Sequence, residues 1–301
     1  MRRLISILIS MLAATTLLAH GHGRFGGMSI SIDDEDIRSC DDIRISFDGE
    51  RGHFTTENIA IGNPRTLKVN TSRNGGVVVI GGAGSWSAQA CRAAAMASDL
   101  NDIKVAYNGS ELTADGPDGD SNWVVYFLVR APRGASLDLE TRNGPITVID
   151  VDGTVNARAH NGPLSISGGS GTIDASTQNG PISFQNADSG KVRLVANNGP
   201  LTVKLKGSSW NGSLDASTKN GPLSVRVPRA FRSGVVVETR GNGPVSCRAE
   251  GCNDRRNQDT DDDDDDDDND WNRPRRFELG SGPANVHLST VNGPLSVKNA
   301  D

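Results

Sequence analysis

Ten aspartates crowd into twelve residues: Asp259, Asp261 to Asp268, and Asp270. Carboxylate oxygens suit hard cations such as calcium. The candidate metal ligands are therefore Asp261, Asp262, Asp263, Asp264, Asp265, Asp266, Asp267 and Asp268. Packed like charges also repel one another, and such a run equally describes a solvated spacer. The spacer is the favoured reading, and no cofactor is expected beyond a weak calcium capacity. Asp115, Asp118 and Asp120 lack the spacing of an EF-hand, and no distal Glu completes one.

The other reactive side chains are four cysteines, Cys40, Cys91, Cys247 and Cys252. An even count in an exported chain points to disulfides. Closeness in sequence favours Cys247 with Cys252, which leaves Cys40 with Cys91; the other two pairings stay open. A Cys-x4-Cys zinc half-site is the rival, but it lacks a second half, and the five histidines are scattered. No catalytic candidate emerges. There is no Gly-x-Ser-x-Gly elbow, no phosphate-binding loop and no His-Glu-x-x-His helix. His160 and His287 fall on outward strand positions. A non-enzyme is expected.

What positions these groups is a repeat. Asn-Gly-Pro occurs seven times. The copies are Asn143-Gly144-Pro145, Asn161-Gly162-Pro163, Asn179-Gly180-Pro181, Asn198-Gly199-Pro200, Asn220-Gly221-Pro222, Asn242-Gly243-Pro244 and Asn292-Gly293-Pro294. Successive spacings are 18, 18, 19, 22, 22 and 50 residues, the last enlarged by the Asp-rich insertion at about 253–275. Apolar residues alternate on both sides of each tripeptide, as in Leu137/Leu139 before and Ile146/Val148 after. A small residue stands two places before the Asn: Thr141, Ala159, Thr177, Ala196, Thr218 or Thr290. In the sixth repeat Gly241 adds a residue, and Thr239 fills that place one step earlier.

Alternation means strands with one buried face, so each repeat holds two strands joined at a corner. The corner chemistry reads as conformational: Asn tolerates left-handed angles, Gly takes angles closed to other residues, and Pro, lacking an N–H, starts a strand. The expected fold is all-β. It is a single-stranded parallel β-solenoid of two-strand coils, right-handed by the crossover default, with a small N-terminal α+β capping region. Aromatics make up 4% of the chain, so a thin aliphatic core is expected. Thr147, Ser165, Ser183, Thr202, Ser224, Ser246 and Ser296 should stack as an outward hydroxyl ladder, without a base to activate them.

Residues 1–21 read as a secretory signal peptide: Arg2 and Arg3, then an apolar stretch from Leu4 to Ala19, shorter than the ~20 residues of a span. Residues 22–134 read as the capping region. They contain a degenerate first corner at Asn74-Gly75-Gly76, a short helix over Ala93 to Asp102, and strands at Ile103 to Tyr107, Glu111 to Ala114 and Trp123 to Val129. Residues 135–301 read as the repeats. The formal net charge is −6, and the aspartate run supplies it; the rest is nearly balanced. The outward face mixes signs, so no nucleic-acid partner is expected.

The pattern Leu-x-Ala-x-Thr-x-Asn-Gly-Pro-Leu-Ser-Val, as in Leu214 to Val225, resembles the bacterial putative-adhesin domain family of uncharacterised function. The resemblance covers roughly residues 70–300. It implies a parallel β-solenoid and an exported or envelope-associated protein, and it carries no catalytic or ligand residues to transfer. The Pro after each Gly and the Asp-rich insertion depart from the common pattern.

Three functions are in view. The first is a non-catalytic exported envelope scaffold, periplasmic or extracellular, that contacts an envelope protein or glycan. The second is a calcium-responsive protein acting through the aspartate run. The third is a glycan-active β-helix enzyme. No transmembrane segment is expected in the mature chain. The last coil reads as uncovered, so end-to-end self-association is expected.

Overall fold

The computed structural model describes residues 28–32, 39–118, 122–185, 189–241, 243–254 and 275–300. The signal segment, most of the Asp-rich insertion and Asn242 lie outside the described residues. The fold is all-β, with one short α-helix among the described residues, Ala97–Asp102.

Alternating side chains produce the expected pair of strands in each repeat. Long strands Ser136–Asn143, Thr154–Asn161, Thr172–Asn179, Ser189–Asn198 and Asn211–Asn220 precede the corners. Short strands Ile146–Ile149, Leu164–Ser167, Ile182–Gln185, Leu201–Lys204 and Leu223–Val227 follow them. Each long strand pairs in parallel with the long strand of the next repeat, and each short strand with the next short one. Equivalent residues are in register. Leu137, Val155, Ile173, Val192, Leu214 and Val286 form one buried column. Each such side chain contributes roughly 1.5–3 kcal/mol by leaving water.

The order of the stack departs from the order of the sequence at both ends. The seventh repeat, Ala284–Asn292 with Leu295–Asn299, does not lie outermost. It lies between the fifth and the sixth, pairing in parallel with Asn211–Asn220 and Leu223–Val227 on one side and with Gly234–Thr239 and Val245–Cys247 on the other. The expectation of an uncovered last coil is therefore corrected, and with it the stated ground for end-to-end self-association. The free edge of Gly234–Thr239 is covered by the antiparallel strand Arg275–Leu279, where Arg276 pairs with Glu238 at 3.0 Å.

The other end mirrors this. Leu67–Ala83 runs through the Asn74-Gly75 corner and supplies both a long and a short strand to the stack. On its far side lie Glu111–Asp115 and Trp123–Pro132, which come later in the chain. Beyond these sit the antiparallel strands Ser87–Ala94, His53–Ile59 and Lys104–Tyr107. A separate three-stranded antiparallel sheet, Met28–Ile32, Ile43–Phe47 and Glu50–Arg51, completes this region. Its Ile43, Ile45 and Phe47 share a second core with Cys91, Ala93, Val124 and Tyr126.

The core is less uniformly aliphatic than composition implied. Trp123, Phe127, Phe184 and Trp210 are buried in it. Trp210 enters from the loop between Lys204 and Asn211 and packs on Phe184, ring centroids 6.0 Å apart. A loop wide enough to admit an indole explains why the repeat lengthens to 22 residues here.

Candidate functional site

Two features gather polar chemistry: the column of corners and a groove beside it. At the corners each described Asn meets its counterpart. The Nδ2 of Asn143 donates to the Oδ1 of Asn74 at 3.2 Å. Asn161 donates to Asn143, Asn179 to Asn161, Asn198 to Asn179, Asn220 to Asn198 and Asn292 to Asn220, all at 2.8–3.0 Å. The last bond again places the seventh repeat directly on the fifth.

The backbone runs the ladder through the same corner in the opposite sense. The N–H of Gly144, Gly162, Gly180, Gly199 and Gly221 donates to the Asn carbonyl of the neighbouring coil at 2.9–3.1 Å. Two residues on, the N–H of Ile146, Leu164, Ile182, Leu201 and Leu223 donates to the Pro carbonyl of that coil. Donors in a parallel ladder alternate, so the residue between these two needs no N–H. That residue is the Pro, which has none.

The glycine is required for a reason other than the expected one. Gly162, Gly180, Gly199, Gly221, Gly243 and Gly293 do not adopt left-handed φ, and neither do the described corner asparagines. A Cβ on any of these glycines would instead run into the carbonyl oxygen of the corner glycine stacked beneath it. The constraint is close stacking of coils, not backbone angle. The buried threonines serve the same oxygens. Thr177, Thr218 and Thr290 donate to Gly162, Gly199 and Gly221 at 2.9–3.1 Å, and Thr141 donates to Gly144 of its own coil. Thr239, in the repeat with the extra Gly241, has a buried hydroxyl with no partner.

The hydroxyl column is in register from Thr147 through Ser165, Ser183, Thr202 and Ser224 to Ser296 and then Ser246. All four cysteines are in disulfides, Cys40–Cys91 and Cys247–Cys252, with Cα atoms 5.4 and 6.3 Å apart. This removes the zinc half-site, since thiolates are its ligands. Among the described residues no cluster of His, Cys, Asp and Glu could hold a metal. The candidate ligands Asp261 to Asp268 lie outside the described residues.

The groove lies on the outer face of the long strands, about 590 Å³ in volume, and crosses five successive strands, from Leu67–Ala83 to Ser189–Asn198. One wall carries Glu140 and Arg158, the other Arg142, His160 and Gln178. Arg158 reaches Asp138 at 3.2 Å, and Asn197 donates to Gln178 at 2.7 Å. Nothing in the sequence pattern marked the groove, because its walls come from non-repeating outward residues.

No protein-family model and no curated protein matches the chain. Solved structures similar to it include a putative adhesin from Bacteroides fragilis, at 8% identity and TM-score 0.38, covering 82% of this chain and 97% of that one. A putative cell adhesion protein from Clostridium sporogenes aligns at 11% identity and TM-score 0.29, over 83% and 100% of the two chains. A putative adhesin from Parabacteroides distasonis aligns at 9% and 0.26, over 83% and 98%. No helix among the described residues is long and apolar enough to cross a membrane.

Proposed function

We propose that the chain is a non-catalytic exported scaffold, an adhesin-like module that offers its stacked faces to an envelope protein or glycan. In this reading the two ladders are the faces of a parallel β-solenoid, wound right-handed, and the elements before Ser136 cap it. The carrying observation is how the corner groups are used. Corner Asn side chains bond to one another, and corner Gly N–H groups bond to the neighbouring coil. Such groups hold the molecule together and are not free to meet a substrate.

The groove supports the same reading. Hydrolysis of a glycoside ordinarily needs two carboxyl groups flanking the bond, and the groove is lined by one, Glu140. Two disulfides fit an oxidising compartment outside the cytosol. The test is incubation of the protein with envelope polysaccharides, followed by an assay for reducing ends and a pull-down from envelope fractions. Retention of a component without new reducing ends supports the scaffold; sustained release of reducing ends contradicts it. The calcium reading makes a separate demand: calorimetric heats with calcium must vanish when Asp261 to Asp268 are deleted.

A further inference from the structure

We propose that the groove beside the asparagine column binds a linear polysaccharide bearing carboxylates, a uronate polymer laid along the stack. The inference rests on the scaffold reading and names its ligand class.

The groove runs across coils, whose strands are spaced about 4.8 Å apart. A ligand lying in it must be extended and must repeat on a similar length. A peptide strand returns a side chain to the same face only every ~6.6 Å, out of step with the coils. A pyranose chain presents one ring per comparable step.

The lining includes no Phe, Tyr or Trp. Stacking platforms for nucleic-acid bases are therefore absent from it, as is any large apolar side chain that would favour a lipid. What lines it instead are hydrogen-bonding side chains on every coil, among them Asn70, Ser176, Gln178 and Asn197.

Charge selects the acidic sugar. Arg142 on one wall and Arg158 on the other outnumber the single lining carboxylate, Glu140, which stands beside Arg158. Arg142 is exposed and makes no ion pair among the described residues. Arg158 engages Asp138 through Nη1 and keeps its other donors. A planar guanidinium matches a carboxylate through two parallel N–H···O bonds. Two arginines on neighbouring coils would thus address acidic groups on successive sugars.

The test is calorimetry of the full chain with hexamannuronate, with uncharged cellohexaose and polyglutamate as comparison probes. We expect salt-sensitive binding of hexamannuronate alone. The Arg142→Ala/Arg158→Ala variant should lose at least tenfold in affinity with an unchanged melting temperature. Should the pair fail to fold, Arg142→Ala alone carries the test, because that side chain makes no ion pair among the described residues. Glu140→Gln should tighten binding by removing a like charge. Equal binding of polyglutamate, unaltered affinity in Arg142→Ala, or no binding of hexamannuronate would overturn the proposal. Unsaturated uronate products, read by ultraviolet absorbance, would leave the groove assignment standing and overturn the non-catalytic reading.

Discussion

Asn198 sits directly over Asn179, and the two residues are joined twice. The Nδ2 of Asn198 donates to the Oδ1 of Asn179 at 3.0 Å. The N–H of Gly180, next to Asn179, donates back to the carbonyl of Asn198, also at 3.0 Å. The side-chain amides and the backbone therefore run in opposite directions through one corner. Any slip of one coil by a residue breaks both sets, so the column fixes the register that the aliphatic pattern alone leaves free to shift by two.

Gly180→Ala should destabilise the protein by about 1–3 kcal/mol, the usual cost of forcing volume into packed structure. Its Cβ would meet the carbonyl of Gly162. Gly62→Ala, with open space around the new methyl, should stay within about 0.5 kcal/mol of the parent. Urea denaturation of both variants checks this. Equal stabilities would mean that the coils are not in close contact at the corner.

That pair of glycines also shows what the sequence could and could not tell. Period, strand pairs and buried face were legible, because alternation and the tripeptide are local signals. The reason for the glycine was not, because the clash involves a residue 18 positions earlier in the chain. The place of the seventh repeat was hidden for a related cause. Its Leu, Thr and Asn match those of its neighbours, so identical rungs could join in more than one order. Trp210 lies in a Gly-rich stretch that reads as a loose bend, with nothing local to mark it as core. The groove escaped notice because outward residues vary from coil to coil.

The two disulfides should contribute unequally. Cys40–Cys91 closes a separation of 51 residues and Cys247–Cys252 one of 5. Chain-entropy arguments give about 4 kcal/mol for the first and about 2 kcal/mol for the second. Replacing both partners by Ser, one pair at a time, should therefore lower the melting temperature more for Cys40/Cys91. The opposite ranking would show that the three-stranded sheet holds its place without its tether.

Tyr126 is fully buried, its hydroxyl has no partner, and burial pushes its pKa well above the ordinary tyrosine value. The folded state thus favours the protonated form. This contribution is fully present below the unfolded pKa of about 10 and is lost as pH rises above it. Tyr126→Phe removes that titration, so its stability should fall less steeply above about pH 10. At neutral pH the variant should lie within about 1 kcal/mol of the parent, since no hydrogen bond is lost. Melting temperatures of both proteins from neutral to strongly alkaline pH supply the comparison; parallel curves would contradict the assignment.

Stacking of coils in the order fifth, seventh, sixth is the claim on which the far end of the corner column and the covered edge of Gly234–Thr239 rest. Ser289 is in register with Ser217 on one side and with Glu238 on the other. Neighbouring strands are about 4.8 Å apart, within the Cα range of a disulfide, whose upper bound is ~6.8 Å. Strands two places apart are separated by on the order of 10 Å, beyond it. The measurement is cysteine pairing in three double variants, read by mass spectrometry after mild oxidation. The account predicts cross-links in Ser217→Cys/Ser289→Cys and in Ser289→Cys/Glu238→Cys, and none in Ser217→Cys/Glu238→Cys. A cross-link in the third variant, with none in the second, would place the sixth repeat directly on the fifth and contradict it.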